Sequence, residues 1–154
     1  MILAKTKIRL TILLGLVAFA SMNTTIARAQ TSPPLPNPVL VFLGSEYYQA
    51  SGKSFLRYRF EVHNREAYPD SLFAAAPALP PCGSNTNASR TWIDFYDMRG
   101  KRLYGFCALR SHKDLLGIWF ALEVDVVPPS WVYIEMTDRQ TGTKYKSNLS
   151  DTTM

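Results

Sequence analysis

The chain has 154 residues, 47% hydrophobic and 19% charged, with 17 Lys and Arg against 12 Asp and Glu, a formal net charge of +5. That is one domain's worth of chain, enough to bury a core without strictly needing a disulfide. Four of the basic residues (Lys5, Lys7, Arg9 and Arg28) lie in an N-terminal export signal, which leaves 13 basic against 12 acidic residues, a net +1. The basic balance is therefore no argument for a nucleic-acid partner, and none is expected.

Met1 to Arg9 is a basic start, and Leu10 to Ala20 is an apolar run of signal-core length. Ala27-Arg28-Ala29 supplies the small-x-small pattern that predicts cleavage after Ala29 and a mature start at Gln30. The run is shorter than the about 20 apolar residues a membrane span needs, and Ser21, Asn23, Thr24 and Thr25 follow at once. Residues 1–29 thus read as a signal peptide rather than an uncleaved anchor. The mature protein is expected to be secreted or periplasmic, with no stable membrane insertion. Residues 30–38, with Pro33, Pro34, Pro36 and Pro38, read as a proline-rich linker, extended and solvated until Val39.

Val39 to Leu43 predicts a first strand, with Glu46, Tyr47 and Tyr48 after it and a turn at Ser51-Gly52. Phe55 to Asn64 is the cleanest strand. Leu56, Tyr58, Phe60 and Val62 alternate with Arg57, Arg59, Glu61 and His63, which predicts one buried and one wet face. Asn64 to Ala76 reads as a loop that drops Leu72 and Phe73 onto the core, with room for one helical turn. Pro77 to Asn87 is turn chemistry throughout, with Pro80-Pro81, Gly83 and Asn85.

Thr91 to Leu109 is the centre of the pattern. Two aromatic and β-branched runs flank Met98-Arg99-Gly100-Lys101, which predicts a β-hairpin with a short glycine-bearing loop. Leu115 to Val127 reads as a strand stopped by Pro128-Pro129, with Ile118, Phe120, Leu122 and Val124 on one side and Trp119, Ala121 and Glu123 on the other. Val132, Ile134 and Met136 mark the next strand. Asp138 to Gly142 is a hairpin loop, and Thr143 to Ser147 the return. The domain runs from 39 to 149, and residues 150–154 read as a polar tail that frays.

The count is about seven short strands with regular turn signals and almost no helical period, which predicts an all-β, antiparallel two-sheet sandwich. In this strand pattern the chain resembles the immunoglobulin-like and fibronectin type III-like sandwiches of bacterial exported proteins over Val39 to Leu149. The resemblance implies the architecture and no functional residues. Cys82 and Cys107, 25 positions apart, stand closer than the inter-sheet cysteines of antibody domains.

Outside the cytoplasm, Cys82 and Cys107 are expected to pair. The competing reading, a redox or nucleophilic cysteine beside His63 or His112, lacks a C-x-x-C motif. The spacing of positions 63, 82, 107 and 112 matches no zinc pattern. There is no G-x-S-x-G elbow, no H-E-x-x-H and no phosphate-cradling glycine loop, so no catalytic residues and no cofactor are expected. Two surface features point to binding instead. Arg99, Lys101, Arg102, Arg110 and Lys113 cluster on and after the hairpin and suit an anionic partner, although edge-guarding cations look the same. Of the many aromatics, Trp92 and Trp119 are expected in the core, and Trp131 and Tyr133 on the surface. The expected role is a non-catalytic interaction or structural module that meets another exported protein or a surface polymer. The alternatives are a small enzyme or enzyme inhibitor with a site around Cys82 and His112, and a carbohydrate binder using exposed aromatics.

Overall fold

A computed structural model describes residues 34–85, 88–107 and 109–153. The signal segment and its cleavage site lie outside the described residues. The chain begins with a hairpin, β1 (Leu40–Ala50) and β2 (Lys53–Val62). Its two-residue turn, Ser51-Gly52, has positive φ at both positions (52° and 75°), as the tightest right-twisted hairpins require. A bulge between Phe42 and Gly44 shifts the register of β1. β3 (Thr91–Asp97) and β4 (Arg102–Phe106) form the predicted central hairpin. β5 (Ile118–Glu123), β6 (Trp131–Asp138), β7 (Lys144–Lys146) and β8 (Ser150–Asp151) complete the set.

The strands build two antiparallel sheets. One has the order β1-β2-β5; the other has β4-β3-β6-β7, with β8 also paired to β6. The expected sandwich is present, as a three-stranded sheet and a five-stranded sheet.

Period-two alternation decides what fills the space between them. Tyr58, Phe60 and Val62 of β2 and Ile118 and Phe120 of β5 face Ile93 and Phe95 of β3 and Val132, Ile134 and Met136 of β6, all buried. Phe60 sits at the crossing, with ring centroids 5.3 Å from Phe42, 5.4 Å from Phe95 and 5.8 Å from Phe120. The β2–β3 connection delivers Leu72 and Phe73 to the core through two 3-10 turns, Arg65–Ala67 and Asp70–Leu72.

Five expectations change. Trp119 is not a core residue: it stands on the outer face of β5, 39% exposed, with the Arg57 guanidinium 4.6 Å over its ring. Trp92 is likewise on an outer face, half-buried, donating Nε1–H to Asp94 Oδ1 at 2.8 Å. Phenylalanines on the opposite phase fill the core, so the indoles are turned outward by the alternation. The strand predicted over 115–127 is shorter. Ser111 and Asp114 form a capping box that starts a 3-10 turn, His112–Leu116, and the chain leaves β5 after Glu123.

The polar tail is paired rather than frayed, through Trp131↔Asp151 and Val132↔Ser150. The described part of the proline segment is anchored at two points rather than free, although Pro34, Pro36 and Asn37 stay exposed. Pro38 is buried, and the Tyr68 hydroxyl donates to the Pro36 carbonyl at 2.7 Å. Burial of Tyr68 pushes its hydroxyl pKa up to about 12. Among the described residues no helix is long and apolar enough to cross a membrane.

Candidate functional site

Strand direction sorts the loops into two ends. The β2–β3, β4–β5 and β6–β7 connections share one end, where the covalent and ionic ties concentrate. Cys82 and Cys107 are joined there, Cα to Cα 6.4 Å, so neither offers a thiol. His112 lies between two acids, with Nδ1 2.7 Å from Asp70 Oδ1 and Nε2 2.9 Å from Glu66 Oε2. Backbone and ring hydrogen bonds from His112 hold the Asp70 carboxyl below its usual range. Because the acids meet opposite ring nitrogens, the three groups do not converge on one point. Among the described residues no group of three or more such side chains is arranged to hold a metal ion.

Arg90 grips Asp138 at this end with a bidentate pair, Nε to Oδ1 at 2.7 Å and Nη2 to Oδ2 at 2.6 Å. Asp138 is 4% exposed and also accepts from the Thr141 hydroxyl and the Gln140 N–H. The Arg90 hydrogen bonds, helped by Thr141 and Gln140, lower its pKa to about 2 against the desolvation that opposes them. A carboxyl depressed in the folded state adds stability above its unfolded pKa and loses it as pH falls through the folded value. Asp138→Asn is therefore expected to cost about 2 kcal/mol at pH 7. It should also flatten the loss of stability between about pH 4 and pH 2; urea titrations across that range check both.

The opposite end carries the β1–β2, β3–β4 and β5–β6 connections. Here the chain encloses a groove of about 440 Å³. One wall is the hairpin loop, with Met98, Arg99, Lys101 and Arg102. The other is the β5–β6 connection, from Val126 through Pro128-Pro129 to Trp131, with Leu103 and Leu122 beneath. The hairpin loop is held by Asp97, whose Oδ1 accepts the backbone N–H groups of Arg99 (2.9 Å) and Lys101 (2.8 Å). Gly100 supplies the positive φ, 82°, that closes it.

Of the predicted surface residues, Arg99, Lys101, Arg102 and Trp131 meet in this groove. Arg102 is tied to Asp94 at 2.7 Å on the outer face of β3. Gly105 makes room for that pair, since a Cβ there would overlap both side chains. Among the described residues Arg99 and Lys101 have no carboxylate partner. Arg110 is not part of the group. It lies past the far end of β4, its N–H donating to Asp114 Oδ2 at 2.6 Å. Tyr133 stands on the outer face of β6, stacked on Tyr96 at 5.2 Å with Lys146 Nζ 4.1 Å from its ring.

The apolar wall is what sequence reading missed. Val126 and Val127 fall within the strand predicted over 115–127, although the following Pro128-Pro129 marks a chain leaving its sheet. A second, aromatic cleft of about 310 Å³ opens between β4 and β5, lined by Tyr104, Phe106 and Trp119.

The fold and the groove together define a disulfide-tied antiparallel sandwich with a partly cationic cleft at its free end. Comparison with known proteins finds no matching family model, no matching curated protein and no matching solved structure.

Proposed function

We propose that the chain is an exported, non-catalytic binding module whose recognition surface is the free-end groove. One observation carries this reading: cations from the β3–β4 loop and Trp131 from β6 line one groove, and two of those cations have no carboxylate partner among the described residues. Trp and Arg are the residues most enriched where proteins bind partners. Export is supported by the N-terminal signal pattern and by the disulfide, which persists in oxidising compartments. The partner is another exported protein or a surface polymer. A carbohydrate reading has one observation in its favour, the near-parallel Tyr104 and Trp119 rings (13° apart) at the second cleft.

Capture from the exported fraction separates these readings. Arg99→Ala/Lys101→Ala and Trp131→Ala are expected to lose at least tenfold of what the parent captures. Tyr104→Ala/Trp119→Ala should retain it. If only the latter variant loses capture, the groove is not the recognition surface.

A further inference from the structure

Resting on the groove as the recognition surface, and narrowing its occupant from the macromolecules named above to a small ligand, we propose that it takes a single-chain anionic amphiphile of the fatty-acid type. Its carboxylate would meet Arg99 and Lys101, and its tail would lie along Val126, Pro128, Pro129 and Trp131.

The two walls differ in what they ask of a ligand. Pro128 and Pro129 have no amide N–H, so the middle of that wall cannot donate to a peptide backbone. Sugar hydroxyls would fare no better against it. A hydrocarbon chain needs no such partners and gains from covering apolar surface now in water. Val127 is 88% exposed and Met98 60% exposed.

The opposite wall is complementary to one negative charge. Asp97 is the only carboxylate among the groove residues, and its Oδ1 already accepts two backbone N–H groups. Arg102 is occupied by Asp94, which leaves Arg99 and Lys101 for the head group. A guanidinium fork matches a carboxylate in shape as well as charge.

Calorimetric titration of the protein purified from the exported fraction tests the assignment, with every probe below its micelle concentration. Laurate is expected to bind at one saturable site. Dodecanol, with the same tail and no charge, should bind at least tenfold more weakly. Octanoate should be weaker by more than a hundredfold, since each buried methylene is worth about fourfold in affinity, from ~0.8 kcal/mol per CH₂. Arg99→Gln/Lys101→Gln should bring laurate down to the level of dodecanol, and Val127→Asp should abolish binding, with both variants keeping the parent's melting curve.

Equal binding of laurate and dodecanol, equal binding of laurate and octanoate, or no laurate binding overturns the proposal. So does binding to anionic phosphatidylglycerol vesicles without binding to free laurate, which would make the surface a membrane-docking one. If laurate fails while Arg99→Ala/Lys101→Ala still loses captured material, only the ligand class falls. If capture is unaffected too, the binding-module reading falls with it.

Discussion

Phe60→Ala is expected to lower stability by about 4 kcal/mol, close to half of what a domain of this size has. The ring is fully buried and touches aromatic rings from both sheets: Phe42 and Phe120 on its own side, Phe95 across the gap. Phe95 also lies 5.2 Å from Phe120, so the four rings form one connected cluster. Removing the middle one leaves a void that β-sheets cannot close, because hydrogen-bonded neighbours fix each strand's position. Urea unfolding should show a lower midpoint with an unchanged slope. A loss below about 1.5 kcal/mol would mean that the sheets do not share this core.

Replacing both cysteines, Cys82→Ala/Cys107→Ala, is expected to cost about 3.5 kcal/mol, the chain-entropy value for a loop of 25 residues. The bridge ties the proline-rich part of the β2–β3 connection to the end of β4. Around it the chain is otherwise held by short contacts, such as Ser89 N–H to the Cys107 carbonyl at 2.9 Å and the Cys82–Asn85 backbone pair. The reduced parent and the double variant should unfold at the same urea concentration, below the oxidised parent. A double variant within about 1 kcal/mol of the oxidised parent would show that the loop is held without the bridge.

What could be read from the residues alone was what local periodicity encodes. Alternation along 55–62 and 132–136 names the buried faces of β2 and β6 correctly, because in a strand neighbouring side chains must point apart. Ser51-Gly52 and Gly100 mark real turns because positive φ is costly for most residues. The error over Trp119 came from weighing size above phase. The phase already set it opposite Ile118 and Phe120, and the Tyr48–Arg57–Trp119 stack, with guanidinium-to-ring distances of 4.5 and 4.6 Å, shelters it without core burial. The cysteine pair was legible from compartment and count.

The groove was only half legible. Its cations are contiguous in the chain, but its apolar wall comes from the β5–β6 connection, more than twenty residues away. Which loops share an end depends on strand order, and strand order is set by long-range pairing that no local pattern records. Arg110 illustrates the same limit. Eight positions after Arg102 in sequence, it ends at the other end of a strand.

On the proposed function, the tied end supplies stability while the free end supplies recognition, and one variant separates the two. Arg99→Ala/Lys101→Ala should unfold within about 0.5 kcal/mol of the parent, since changes to exposed positions cost little, and should lose at least tenfold of what the parent captures. A double variant that captures as the parent does, or one that loses both stability and capture together, contradicts this division.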